Sequence, residues 1–557
     1  MPKLLMRIER TKYSAILLLF LLSCLTFFLN LNGWDLWNPD EPRYAQVARE
    51  MLDTGEWILP HLNGDIYPDK PPFFFWLIAI FSFLTGGVTE VSARIPSSLS
   101  AVGCVLLTYF MGKRLFNDRV GILAGLILLT STEFFWLGRR ANIDMTLTLF
   151  ITLALTFFYL GLEKKEGRPW FCLASYVFMA LGVLTKGPIG FLLPFLIIVS
   201  YLTATKKLNY LKKLEITWGL IIFAGIVLAW LIPACVQGGE NYTWELLFKQ
   251  SIDRFLNAWN HEKPFYYYIY TFPEGFFPWI LFLPIAIWWG LKGNNRENRA
   301  GFYFPFCWFV IIFIFFSAST CKRNLYLLPL YPAASILTGS FLNQFIFQHD
   351  RKDIFFKILI VSFYFLGGIF IKAGLVFGIL PFVETSIPEI WRFVPYIMPL
   401  AIIFIAAGGY LIFMVRQKKM LSGFIAVILT LFLFILVSIE VILPKVNTFK
   451  SAKYFSQSIN HHLKNEKEIV AYGIKTAPFN FYTGLNKIRT IPTIEKLVKH
   501  LDSPAIGLIL LREKVFNRLR EESLMPLDIH IVDKAKIGHR TFLLLAKRDS
   551  RLTNDTN

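Results

Sequence analysis

Through its first 444 residues the chain alternates between long apolar runs and short polar connections. Runs suited to bilayer-crossing helices lie near residues 14–31, 95–111, 120–138, 144–161, 170–185, 188–204, 216–235, 276–291, 303–319, 325–345, 355–380, 394–415 and 421–443. A hydrocarbon core about 30 Å thick takes roughly 20 helical residues at 1.5 Å each. The run at 73–86 holds about fourteen residues and suits an interfacial or re-entrant helix better than a span. The pattern predicts an all-α polytopic membrane protein with about 13 transmembrane helices.

The connections orient these spans. Residues 163–168, 206–213, 292–299, 351–352 and 416–419 are basic, and all fall on the side of the N-terminus if 73–86 does not cross. The connection 112–119 falls there too. Positive loops stay in the cytoplasm, which places the N-terminus inside and the C-terminus on the outer side. The run 14–31 follows a basic segment and lacks a small-x-small cleavage site, so it reads as an uncleaved first span. The outer face then carries the loops 32–94 and 236–275, a short turn at 139–143, and the tail.

After residue 444 the periodicity changes. Short β-type runs at 469–472, 505–511 and 541–546 alternate with helix-like stretches at 450–464 and 512–522. They predict a transmembrane domain over 1–444 and a small α/β domain on the outer side over 445–557.

Composition narrows the class. Of 557 residues 55% are hydrophobic and 56 are Phe, and the mean hydropathy is +0.51. That is more apolar surface than a water-soluble chain of this size hides. The net charge of +19 sits mostly in the short connections. This fits loops lying on membrane lipids with anionic headgroups, and no basic-aromatic module points to nucleic acid. The tail has 20 Lys and Arg against 11 Asp and Glu. It suits headgroups, an anionic acceptor, or simple solubility. The six cysteines are widely spaced without a CxxC pair, so neither a disulfide framework nor a structural zinc site is indicated. No internal repeat is visible.

Candidate chemistry gathers in the outer segments. Asp40-Glu41-Pro42-Arg43-Tyr44-Ala45 reads as a helix start with an acidic N-cap and a proline in the first turn, continuing to about Leu52. Asp40 is either a cap or a functional carboxylate. The neighbouring tryptophans and the amphipathic pattern suit a helix at the membrane surface. Tyr67-Pro68-Asp69-Lys70-Pro71-Pro72 sets a cation beside a carboxylate at the edge of an apolar run. Lys70 either snorkels or holds a lipid phosphate. Asp144 opens a span, as a cap or as a group lining a cavity. Lys186, Lys322 and Arg323 fall on the outer side against the positive-inside bias, which favours phosphate binding.

Taken in order, several motifs resemble one family. They are Asp40-Glu-Pro-Arg-Tyr-Ala, Tyr67-x-x-Lys-Pro-Pro, Arg140-x-Asn-x-Asp-Met, Leu184-Thr-Lys-Gly-Pro, His261-x-Lys-Pro-Phe-Tyr-Tyr-Tyr and Leu325-Tyr-Leu-Leu-Pro-Leu-Tyr-Pro. The chain is similar to the aminoarabinose (lipid A) transferase and protein O-mannosyltransferase superfamily of C-type membrane glycosyltransferases. The resemblance runs from about residue 30 to 335 and implies the GT-C fold. It implies transfer of a sugar, with 4-amino-4-deoxy-L-arabinose the leading candidate, from undecaprenyl phosphate to lipid A at the periplasmic face of a bacterial inner membrane. Polymyxin resistance is the associated phenotype.

The resemblance also implies roles. Asp40 and Asp144 stand as catalytic carboxylates, Asp40 as the base. Arg43, Tyr44, Tyr67, Lys70, Lys186, Lys322, Arg323 and Tyr326 stand at the carrier phosphate or sugar, with Tyr331 as the alternative hydroxyl. Asp69, where the family often has Glu, and His261 imply a shared divalent metal, zinc first. Two other readings stay open: an enzyme modifying protein hydroxyls, and a transporter of lipid-linked sugars. Transporters usually show related halves and mid-membrane charges, which this sequence lacks.

Overall fold

The computed structural model describes residues 13–163, 169–253, 261–292, 299–347, 353–379, 394–463, 468–503 and 507–547. The basic N-terminus and most or all of the basic connections near 163–168, 292–299 and 351–352 lie outside them. Each of the thirteen predicted stretches coincides with apolar helix. Nine helices are long and apolar enough to cross a membrane among the described residues, and two bent helix pairs pass the same test. The shorter apolar helices Ser14–Phe28 and Ile189–Ala204 occupy the remaining two stretches. The run at 73–86 forms the helix Phe73–Ser82, about 15 Å long at 1.5 Å per residue and too short to cross.

Two stretches expected as straight spans are bent. Asp118–Leu129 and Thr132–Gly138 meet at 68°, and Tyr267–Gly275 and Trp279–Lys292 at 120°. At the first break, the Thr130 and Ser131 hydroxyls donate back to the Leu126 and Ile127 carbonyls, 2.7 Å each, a contact that loosens helices. At the second, Pro278 has no N–H to offer the ladder. The breaks latch together: Trp279 Nε1 donates to Thr130 Oγ1 at 3.1 Å, and Thr132 Oγ1 donates to the Phe277 carbonyl at 3.2 Å.

The chain divides into two compact units. The first comprises Met1–Leu31, Pro68–Phe74 and Arg94–Ile442. Its core is a continuous aromatic and aliphatic cluster from Ala15 to Leu431. Two fully buried arginines secure the end of its first segment. Arg94 donates to the Leu31 carbonyl, and Arg139 to those of Thr26 and Leu29. Ser97 fixes the turn before helix Ile143–Glu163, bonding both the N–H and the carbonyl of Asn142.

The second unit comprises Asn32–Tyr67, Phe75–Ala93 and Leu443–Asn557. Its sheet has β3 (Ile469–Tyr472), β4 (Arg489–Ile491), β5 (Leu508–Arg512), β6 (Ile529–Ile537) and β7 (Arg540–Lys547), after a small hairpin of β1 (His61–Leu62) and β2 (Asp65–Ile66). The order is β4-β3-β5-β7-β6, parallel in the first three strands and antiparallel at β7 and β6. The sequence pattern reveals β3, β5 and β7, the strands whose side chains fill the two cores. β4 is short and largely exposed, and β6 is interrupted by His530, Asp533, Lys534 and Lys536, so neither carries a clean apolar signature.

The outer loop belongs to this unit as well as the tail, which the boundary at 444/445 does not express. Helix Glu41–Thr54, expected at the membrane surface, packs on protein. Arg49 donates to the Asn480 and Phe481 carbonyls at 2.8 and 2.9 Å and lies 4.8 Å over the Phe481 ring. Asp35 accepts from Asn447 and Ser451 and pairs with Lys453. Glu50, buried, accepts from the main-chain N–H groups of Asn63 and Gly64.

Candidate active site

Two clusters hold the candidate residues, one in each unit. In the second unit Asp40 sits at the N-cap position of helix Glu41–Thr54 without making a side-chain capping bond. Glu41 accepts from the Trp37 N–H at 3.0 Å instead. The Asp40 carboxylate is held by Arg43 at 2.6 Å, one turn along. Arg43 reaches the Tyr44 hydroxyl at 3.4 Å and stacks 5.1 and 6.0 Å from the Tyr44 and Tyr67 ring centres. Phe75 backs both tyrosines, with ring centres 5.9 and 6.1 Å away. Asp40, Arg43, Tyr44 and Tyr67 thus form one group around the guanidinium.

In the first unit a cavity of about 290 Å³ is lined by Asp69, Lys70, Lys186 and Gln250 on one part and by apolar residues including Phe223 and Trp230 on the rest. Lys70 donates to the Asp69 carbonyl at 2.8 Å. Gln250 Nε2 donates to the Asp69 carboxylate at 2.9 Å. Lys186 ends its helix and pairs with Asp144, in the first turn of Ile143–Glu163; both side chains are nearly fully buried. Its ammonium also lies 4.1 Å from the Tyr326 ring centre. Asp144 is therefore not a cap: Asn142 supplies that bond, accepting from the Met145 N–H.

Lys322, expected at a phosphate, donates instead to the carbonyls of Lys263 and Ser319. Its N–H bonds the His261 carbonyl at 3.0 Å, closing a small bridge between Glu262 and Cys321. Burial pushes the Lys322 ammonium below its ordinary value. Arg323 occupies the N-cap position of the short helix Asn324–Leu330 without a side-chain capping bond and accepts on its carbonyl from the Tyr268 hydroxyl at 3.2 Å. Tyr331, the alternative hydroxyl, is buried between Phe272 and Phe276.

The metal expectation rests on Asp69 and His261. Asp69 is engaged by Gln250, and His261 is exposed in a left-handed turn with φ of 62°. Among the described residues no three His, Cys, Asp or Glu side chains are grouped to hold a metal ion.

Gln250 was missed. It lies on the widened turn Glu245–Asp253, wound as a π-helix. Such turns often occur at functional sites, but from sequence it is one amide near the end of an apolar helix.

Residues 69–232 match the family model described as dolichyl-phosphate-mannose-protein mannosyltransferase. An undecaprenyl phosphate-alpha-4-amino-4-deoxy-L-arabinose arabinosyl transferase of Pectobacterium atrosepticum is 32% identical over 341 residues, 60% of this chain and 59% of that protein. An uncharacterized protein of Aquifex aeolicus is 30% identical over 476 residues, 84% of this chain and 87% of its own length. The chain belongs to the aminoarabinose transferase and protein O-mannosyltransferase superfamily of membrane glycosyltransferases. Its fold is the GT-C fold of this superfamily. The crystal structure of ArnT from Cupriavidus metallidurans bound to undecaprenyl phosphate superposes with a TM-score of 0.79 at 20% identity, covering 98% of this chain and all of that one. The chain is thus a multi-pass membrane protein of this superfamily, with a small C-terminal α/β region.

Proposed function

We propose that this enzyme transfers a sugar, 4-amino-4-deoxy-L-arabinose in the leading reading, from undecaprenyl phosphate to lipid A or a related acceptor. The reaction takes place at the periplasmic face of the inner membrane, with the N-terminus cytoplasmic and the C-terminus periplasmic. The observation that carries the reading is the cavity in which Lys70 and Lys186 meet an otherwise largely apolar wall. A polyprenyl phosphate has that chemistry: one anionic group on a long apolar chain. The named arabinosyl transferases favour the same donor.

In this reading the acceptor oxygen attacks the anomeric carbon as the carrier phosphate leaves. The two lysines stabilise charge gathering on that phosphate. Asp40 takes the acceptor proton where the acceptor is a hydroxyl, and Arg43 fixes its direction. With an acceptor phosphate, which has little proton to lose, Asp40 positions the acceptor. A bound metal forms no part of this reading.

The family model named for protein mannosylation supports a second acceptor class, protein hydroxyls. One experiment separates the two. Mass spectrometry of lipid A and of periplasmic proteins is run on cells expressing the wild-type chain or Asp40→Asn. Lipid A phosphates carrying an aminopentose in wild type alone support the leading reading. Glycosylated proteins with unmodified lipid A support the second. Transfer by the variant at the wild-type rate removes Asp40 from the mechanism.

A further inference from the structure

A second cavity of about 220 Å³ lies beside helices Pro169–Lys186 and Ile189–Ala204, lined by Cys172, Tyr176, Met179, Val199, Leu211 and Leu214 among others. Phe191 borders both this cavity and the one holding Lys70 and Lys186; it stacks on Phe195 and meets Phe223 at a tilt. Its walls are almost wholly apolar. At its edge runs the short helix Leu208–Lys213, which contributes Leu211 to the lining and carries exposed Lys212 and Lys213. Exposed Lys206 and Lys207 precede it. Cys172 Sγ, on the cavity wall, donates to the Lys213 carbonyl at 3.9 Å, and the Lys213 ammonium lies 5.2 Å from the Tyr210 ring centre. Trp218, exposed, follows on the next helix.

An apolar slot whose lining residues Leu211 and Leu214 belong to a segment with four exposed lysines matches a molecule with an acyl chain and an anionic head. We propose that this cavity binds an anionic phospholipid, its chain against Met179 and Val199 and its phosphate among Lys206, Lys207, Lys212 and Lys213. Charge complementarity decides the occupant. Lysines beside a membrane attract anionic headgroups and gain nothing from a zwitterionic one. Leu211 and Leu214 carry the lysine segment onto the slot, so chain and headgroup are read by one element. Under the orientation proposed above, these lysines face the cytoplasmic leaflet, away from the reaction. The site does not depend on which sugar is transferred.

The test uses the full-length chain in detergent, titrated separately with phosphatidylglycerol and phosphatidylcholine and read by native mass spectrometry. One phosphatidylglycerol adduct is expected to persist at collision energies that strip phosphatidylcholine. Replacing Lys206, Lys207, Lys212 and Lys213 by Ala is expected to weaken it tenfold or more. Val199→Phe, which fills the slot, is expected to abolish it while undecaprenyl phosphate binding persists. Equal retention of both lipids, or an adduct untouched by either variant, overturns the proposal. The lysine side chains are exposed and none lines the cavity, so their substitutions give an answer even if Val199→Phe fails to fold. Loss of undecaprenyl phosphate binding in Val199→Phe with the phosphatidylglycerol adduct retained would likewise overturn it.

Discussion

Lys186 donates to Asp144 between the last turn of one apolar helix and the first turn of another, with side chains only 9% and 6% exposed. Desolvation offsets much of the attraction in a pair buried this deeply, so the pair itself adds little. Removing one partner is another matter, because the other charge is left stranded. Lys186→Met is expected to destabilise the chain by about 3–5 kcal/mol, and Lys186→Met with Asp144→Leu to recover most of the loss. Thermal unfolding in detergent reads both. The double variant should still bind undecaprenyl phosphate poorly, since a lysine has left the cavity. Equal instability of single and double variants would contradict the argument.

Lys70 and Lys186 line the same cavity from different segments. A charge-assisted hydrogen bond contributes about 1.5–3 kcal/mol. Lys70→Ala is therefore expected to raise the Kd for undecaprenyl phosphate by roughly tenfold to a hundredfold. Lys70→Arg should retain part of the affinity, because the charge survives while the point-like ammonium does not. Binding of the carrier measured by fluorescence or calorimetry decides the matter. An unchanged Kd in Lys70→Ala would move the phosphate elsewhere.

Arg43 acts on Asp40 through a 2.6 Å contact and on Tyr44 and Tyr67 through its flat face. Both functions need a planar fork, which lysine lacks. Arg43→Lys should therefore resemble Arg43→Ala, with kcat lower by about a hundredfold, the scale of a misplaced reacting group. If Arg43 instead holds the donor phosphate, KM for the donor rises and lysine rescues it. Steady-state kinetics with purified donor and acceptor separates the two patterns.

How much of this was legible in the chain depends on the scale of the signal. Apolar runs fixed where the spans lie, because a bilayer demands length and hydropathy and little else. They did not show the bends, which arise from two hydroxyls at Thr130 and Ser131 and from Pro278, small local features inside otherwise apolar text. The helix at 41–54 carried a true amphipathic pattern, but that pattern cannot say whether its inner face meets lipid or the Phe481 ring. Lys186 and Asp144 were visible as charges out of place. That they pair is a property of two consecutive helices that bring residues 42 positions apart together. Gln250 gave no sign, since an amide has no bias to violate. The strands β4 and β6 gave no clear sign because one is short and the other is broken by charged residues.

Lys322 can be weighed as a structural cation or a phosphate ligand. It lies where a phosphate ligand was expected, yet it donates to the carbonyls of Lys263 and Ser319 and its main chain holds His261. Buried carbonyls that lose a charged donor cost about 1–3 kcal/mol. Lys322→Met, which keeps the length and removes the donors, is therefore expected to destabilise the chain by about that amount. It should leave the Kd for undecaprenyl phosphate within twofold of wild type. A phosphate ligand would behave in the opposite way, with stability kept and affinity lost. Measuring melting temperature and carrier binding on one preparation distinguishes them, and a large rise in Kd without a change in Tm would return Lys322 to the phosphate.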